Sequence, residues 1–161
     1  MIGSLAVYSF FKYQNIEDLL LTKHTPQGFI VYKALAKFTF RPFIHHFLRE
    51  DNREVQVVGI DEHVKHGYSH VALLTHEMRE ESVTIEHAKL MATNRVNYAG
   101  KSLQYRLSHP RGFSYMGTKG GEAILVDDIV TTGITLQEAY QVLQQHGVEV
   151  LFALTLADAK G

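Results

Sequence analysis

The chain has 161 residues, one domain's worth at roughly 100–200 residues per domain. Its 45% hydrophobic and 20% charged residues exclude a disordered or fibrous chain, and the lack of cysteine excludes disulfides, thiolate zinc sites and cysteine nucleophiles. The formal charge of -1 lacks the surplus of bases expected of a protein that coats nucleic acid.

Residues 5–11, rich in aromatic and β-branched side chains, predict a strand. No basic region or cleavage site flanks them, and no stretch approaches the roughly 18 apolar residues of a membrane span. A cytoplasmic protein without a membrane span is therefore expected. Asn15 is placed to cap a helix, with Glu17 and Asp18 in its first turn, and Pro26 with Gly28 ends it. Helical spacing returns over residues 29–40, Pro42 interrupts, and residues 43–49 continue as a short helix. Residues 1–50 thus read as a strand plus a small helical hood, followed by a core over 55–161 in the same single domain.

Residues 56–60 form an apolar run that suits a buried parallel strand. A polar loop over 61–68 leads to Ser69, placed to cap a helix running to about Glu80. Residues 83–90 suggest another strand. The stretch 93–119 has weak periodicity, with a short helix around 102–107. A strand over 122–126 follows, then a helix over 135–146 with Leu136, Ala139, Tyr140 and Leu143 at i, i+3, i+4 and i+7. Gly147 stands at its left-handed cap, and residues 148–156 form a last strand. This order of strands and helices predicts an α/β fold with a mostly parallel, twisted sheet flanked by helices.

The small net charge conceals an uneven distribution. Residues 87–121 contain no acid but six bases, Lys89, Arg95, Lys101, Arg106, Arg111 and Lys119, leaving a balance of -7 elsewhere. Tyr98, Tyr105, Phe113 and Tyr115 are interleaved with the bases. The block reads either as a solvated surface segment or as one that meets polyanions such as pyrophosphate or a nucleic-acid backbone.

Residues 123–135 read Ala-Ile-Leu-Val-Asp-Asp-Ile-Val-Thr-Thr-Gly-Ile-Thr. Unpaired charge is costly to bury, so Asp127 and Asp128 are expected beyond the carboxyl end of the strand, where open α/β sheets bind ligands. Thr131, Thr132, Gly133, Ile134 and Thr135 then open a helix whose free amides favour an anion. The loop has no lysine and a single glycine, which argues against a P-loop or a dinucleotide fingerprint. A phosphorylated ribose suits both halves, with the carboxylates on sugar hydroxyls. A capped helix after a core strand would explain the threonines and the glycine, but not two adjacent acids. His63, His66 and His70 fall at metal-ligand spacing for one helix, but Gly67 and the helix start at Ser69 break that register.

The same segment resembles the phosphoribosyl-pyrophosphate (PRPP) signature of type I phosphoribosyltransferases. That resemblance implies the type I fold, Asp127 and Asp128 on the ribose hydroxyls and Mg²⁺, and residues 131–135 around the 5-phosphate. Residues 57–72, Val-Val-Gly-Ile-Asp-Glu-His-Val-Lys-His-Gly-Tyr-Ser-His-Val-Ala, are similar to the pyrophosphate-loop stretch of the ComF competence family. The aromatic strand and Leu-rich helix over residues 7–23 also resemble that family's start. The family's four-cysteine zinc module is absent, and Gly59 and Asp61 replace its proline pair. The likeness implies Asp61, Glu62 and Lys65 in a pyrophosphate loop, and a mobile cover over 93–106 from which Arg95, Lys101 and Arg106 reach in. It also implies a role in natural transformation. PRPP is then either the donor for transfer to an acceptor or an effector of a protein that handles single-stranded DNA with other competence proteins.

Overall fold

The computed structural model describes residues 2–61, 68–94 and 96–160. Six strands, β1 (Val7–Lys12), β2 (Val55–Asp61), β3 (Val83–Ala92), β4 (Phe113–Tyr115), β5 (Glu122–Val130) and β6 (Glu149–Asp158), form one sheet in the order β1-β6-β5-β2-β3-β4. All neighbours pair in parallel except β3 and β4. The helices are α1 (Tyr13–Leu20), α2 (Pro26–Phe38), α3 (Phe40–Glu50), α4 (His70–His76), α5 (Leu103–Ser108) and α6 (Ile134–Gln145), with a 3-10 turn at Leu21–His24. The α/β fold with a mostly parallel, helix-flanked sheet is the one expected. No helix among the described residues is long and apolar enough to cross a membrane.

Strand β5 explains the layering. Its residues Ala123, Ile124, Leu125 and Val126 are all fully buried. Ile124 and Val126 join Val71, Leu74 and Met78 of the α4 region on one face, while Ala123 and Leu125 join Leu136, Ala139 and Leu143 of α6 on the other. Successive side chains of a strand point to opposite faces, so a continuous apolar run requires two packed layers. The helical first third shares the α4-side core through Leu20, Tyr32, Ala36, Phe40 and Ile44, and it lends β1 to the sheet edge. The segment read as a hood is thus built into the main core.

Several boundaries differ from expectation. Asn15 lies inside α1 rather than capping it; Lys12 holds the cap position without a side-chain bond, and the chain kinks at Ile16. Thr25 caps α2, and Pro26 occupies its first turn, so the proline starts this helix. The break before α3 falls at Thr39, and Pro42 sits in the first turn of α3, where its missing N–H costs nothing. Ser69 caps α4 by accepting from the Ala72 amide, but that helix stops at His76, well before Glu80. The short antiparallel β4 was not anticipated. His45 and His46 are exposed on α3, and Gly147 takes the left-handed cap conformation at φ +75°.

Gly59 in the middle of β2 lets α4 approach closely. A Cβ there would stand 2.9 Å from Val71 Cγ1 and 3.3 Å from Thr75 Cγ2. We therefore expect Gly59→Ala to destabilise the fold by about 1–3 kcal/mol through overpacking. Urea unfolding of the two proteins measures the difference.

Candidate functional site

Parallel pairing sends the carboxyl ends of β1, β2, β5 and β6 to one edge of the sheet. From β2 the chain continues to β3 on one side, and from β5 it continues to β6 on the other. The crevice between β2 and β5 is therefore the point where strand order reverses, the usual ligand position in open α/β sheets. Asp61 ends β2, and Asp127 and Asp128 lie near the end of β5.

The acidic pair lies within β5, not beyond it. β5 pairs with β2 only from Ala123 to Val126, whereas its pairing with β6 continues to Val130. The carboxylates thus occur where one neighbouring strand has ended and the other persists. Space opens on the β2 side while the backbone stays hydrogen-bonded.

After Val130 the chain turns through Thr131, Thr132 and Gly133 into α6. Gly133 has φ +85°, and a Cβ there would fall 2.1 Å from Ile2 Cδ1, so both conformation and space require glycine. Ile134 starts the helix and Thr135 lies in its first turn, whose amides face the same edge. Lys160, just past β6, donates from Nζ to the Thr132 carbonyl at 3.4 Å.

Two cations that govern this edge come from distant segments. Lys23, in the 3-10 turn, donates from Nζ to Asp128 Oδ2 at 3.1 Å. Its carbonyl accepts from the Tyr68 hydroxyl at 2.7 Å and from His70 Nε2 at 2.5 Å. Burial works against ionisation of Asp128, but the Lys23 charge and hydrogen bond, helped by Asp127 and His70, hold its carboxyl below the usual range. Nothing in the spacing of Lys23 points across 105 residues to Asp128.

Arg106 is the second cation. Its Nη1 donates to Thr131 Oγ1 at 2.5 Å and to Thr132 Oγ1 at 3.5 Å, while Nη2 and Nε bond the carbonyls of Tyr98 and Lys101. The guanidinium carbon lies 5.6 Å from the centre of the buried Tyr98 ring, and that of Arg111 lies 4.5 Å from it. The structure therefore brings Arg106 onto the threonine loop. Lys101 instead places its ammonium 5.1 Å over the Tyr105 ring. Arg95, Glu62, Lys65, His63 and His66 lie outside the described residues. Tyr98, Phe113 and Tyr115 are buried, so three of the four aromatics in the basic block are not available as a stacking platform for bases.

Asp61 is 5% exposed. Its Oδ2 accepts from the Ala88 amide at 2.8 Å, at a residue with φ +53°, and its Oδ1 accepts from the Ser69 hydroxyl at 3.4 Å. Burial raises its carboxyl above the usual range despite these bonds and the nearby His87. Asp61 therefore braces the β3 irregularity and the start of α4 from the floor of the crevice.

Neither oxygen of Asp128 is idle, since Oδ1 accepts from the Ile129 amide and Oδ2 from Lys23. A carboxylate offers about four lone-pair positions, so sugar hydroxyls can still be added. A free Mg²⁺ needs about six oxygens in near-ideal geometry. Among the described residues no three ligating side chains gather. The pair fits a polyol, and fits a metal ion only when other ligands come with it.

A family model for the phosphoribosyl transferase domain matches residues 70–161, more than half of the chain. The chain belongs to the phosphoribosyltransferase domain family. Two solved structures share its fold, both at a TM-score of 0.51. An adenine phosphoribosyltransferase is 15% identical, with 86% of this chain and 74% of that one covered. The Saccharomyces cerevisiae adenine phosphoribosyltransferase, solved with an imino-altritol bisphosphate and adenine, is 16% identical, with 84% and 71% covered. UMP synthase of Leishmania donovani is 19% identical at a TM-score of 0.45 and covers 80% of this chain, which spans only 22% of that protein. A search of curated proteins by sequence finds no match. The phosphoribosyltransferase domain and the type I fold expected from residues 123–135 are thus both present.

Because its folded-state pKa is raised, the stability that Asp61 contributes is present below the unfolded pKa and lost as pH rises through the folded value. Asp61→Asn, which keeps an acceptor for Ala88, should melt higher than wild type at pH 7, and the difference should shrink as pH falls towards 4. Thermal melts across that range provide the check.

Proposed function

We propose that this phosphoribosyltransferase-domain protein binds PRPP with Mg²⁺ and transfers its phosphoribosyl group to an acceptor, as a single unit of the ComF type. The observation that carries this reading is the convergence of Asp127, Asp128 and the Thr131–Thr132–Gly133 turn at the switch point of the sheet.

In this reading Asp127 and Asp128 accept from the ribose 2- and 3-hydroxyls and hold the ring. Thr131, Thr132, Gly133, Ile134 and Thr135 surround the 5-phosphate with hydroxyls and helix amides, and Arg106 adds positive charge beside the two threonine hydroxyls. Mg²⁺ would supply charge neutralisation on the departing diphosphate, held by the acidic pair together with oxygens of the ligand. With the sugar fixed at both ends, the anomeric carbon faces the acceptor, and the C–O bond to diphosphate breaks as the bond to the acceptor forms. Positioning and countercharge are what the protein contributes. Asp61, Glu62 and Lys65 are the proposed diphosphate loop, and Arg95 and Lys101 belong to the cover over residues 93–106. A groove of about 610 Å³ lined by Phe29, Lys33, Tyr68, Leu73 and His87 adjoins Ser69 and is the proposed approach for the acceptor.

The other reading makes PRPP an effector of single-stranded DNA handling in natural transformation, with competence proteins as partners. It draws on the six bases of residues 87–121, but the burial of Tyr98, Phe113 and Tyr115 leaves it electrostatic contacts in place of stacking. DNA affinity that falls steeply with salt and is lost on neutralising Arg95, Lys101 and Arg106 would favour it. Pyrophosphate release with candidate acceptors would favour transfer.

A thermal shift tests the shared core of both readings. At a PRPP concentration 100-fold above Kd, with Mg²⁺, binding adds about 2.7 kcal/mol and should raise the Tm of wild type by several degrees. The Asp127→Asn, Asp128→Asn double variant should show no rise. An equal rise in both proteins sinks the carboxylate assignment, and no rise in either sinks PRPP as ligand.

A further inference from the structure

We propose that residues 2–5 form a clasp that holds the Thr131–Thr132–Gly133 turn in the shape that receives an anion, with Ile2 as its positioning residue. The identity of that anion as the 5-phosphate of PRPP rests on the reading above, whereas the hold of Ile2 on the turn does not.

The clasp is closed on itself and anchored in the core. The Ile2 amide donates to the Leu5 carbonyl at 2.8 Å, and the Leu5 amide donates to the Ile2 carbonyl at 3.0 Å. Between them Gly3 takes φ +58°, and a Cβ there would stand 2.9 Å from Gln137 Oε1, so both conformation and space call for glycine. Leu5 is buried in the α6-side core, and the Ala6 carbonyl accepts from the Ala153 amide of β6 at 2.9 Å. From this anchor Ile2 folds back onto Gly133, Gly3 lies against the Gln137 side chain, and the Ser4 hydroxyl donates to the Tyr140 hydroxyl at 3.4 Å. Positions 133, 137 and 140 are spaced i, i+4 and i+7, so they share one face of the helix start. The clasp therefore lies along α6 and ends on the turn.

Gly133 is the point at which the turn needs holding. It is the cap residue of α6 and makes no side-chain cap bond, so its conformation alone aims the first-turn amides. Its φ of +85° is only one of the conformations open to a glycine. The bonds from Arg106 to the threonine hydroxyls and from Lys160 to the Thr132 carbonyl act on the residues before it. At Gly133 itself, the three atoms nearest to a Cβ position among the described residues are Cδ1, Cγ1 and Cγ2 of Ile2, the last two at 2.8 and 2.9 Å. The isoleucine thus fills the space that a side chain on the turn would take, and it closes off the other conformations of the glycine. A loop already held in its bound shape has less freedom to lose when the ligand arrives, and so binds it more tightly. Ile2 acts on the ligand through Gly133 alone.

The test pairs amide hydrogen exchange of the ligand-free protein with calorimetric titration by PRPP and by ribose 5-phosphate, each with Mg²⁺. The probe for the turn is the Gln137 amide, which donates to the Gly133 carbonyl at 2.9 Å and closes the first turn of α6. In Ile2→Ala this amide should exchange at least tenfold faster, a larger change than at Leu143 in the same helix. Ile2→Ala should also bind PRPP and ribose 5-phosphate at least fivefold more weakly. Ile2→Leu, which keeps the bulk over Gly133, should restore both readouts to near the wild-type values. Gly3→Ala, which strains the clasp without touching Ile2, should behave like Ile2→Ala. A change at Leu143 as large as that at Gln137 marks a general loosening and overturns the proposal, as does unchanged ligand affinity in Ile2→Ala. Should Ile2→Ala fail to fold, Ile2→Val, one methylene smaller, decides by the same two readouts, with changes in the same direction expected and their absence overturning the proposal. If wild type binds neither PRPP nor ribose 5-phosphate, the PRPP reading fails, and exchange at Gln137 still judges the clasp.

Discussion

The burial of β5 on both faces is the constraint from which the rest of the molecule follows. Four consecutive apolar residues, Ala123 to Val126, require a helical layer above and another below, and α4 and α6 provide them. With both faces covered, polar groups on this strand can reach solvent only near its ends, as Glu122 does at the amino end. Asp127 and Asp128 therefore take up the first two positions at which β2 no longer flanks the strand. The chemistry of the site is set by where a hydrophobic run stops.

Electrostatics then connects segments far apart in the chain. A pair of carboxylates at the floor of a crevice needs countercharge, and the first third of the chain supplies it through Lys23, carried there by β1 and α1. Arg106 does the equivalent for the threonine loop from the opposite flank, fixed by two backbone carbonyls and an aromatic ring. The positive charge of residues 87–121 is consequently only partly a solvated surface, because Arg106 and Arg111 are drawn onto Tyr98. The N-terminal helices also do two things at once. They close the α4-side core and deliver an ammonium to the crevice.

Much of this was legible in the residues, for reasons that can be named. The β5–α6 unit reads clearly because its apolar run, turn glycine and helical spacing are local signals carried by neighbouring residues. Ser69 as a cap and Gly147 as a left-handed terminus are likewise decided within a few residues. Pro42 misled because proline breaks a helix interior yet suits a first turn, and only the position of Thr39 distinguishes the two. β4 is three residues long and exists through pairing with β3, so its own sequence carries little periodicity. Lys23 is not legible because its significance is tertiary: it is an ordinary residue of a 3-10 turn until the fold brings it to Asp128. Asp61 stands out by its place in a stretch similar to a pyrophosphate loop, but its role in holding Ala88 depends on a register shift between β2 and β3.

The anchoring of the Lys23 carbonyl by Tyr68 and His70 has a consequence for rates. With its main chain tied at two points, the ammonium can change partners by rotating the four-carbon stem alone. Rotamer changes of that kind take picoseconds to nanoseconds in exposed side chains, whereas displacing a whole segment takes microseconds or longer. A charge on a fixed base can re-form its ion pair with Asp128 without moving the N-terminal segment.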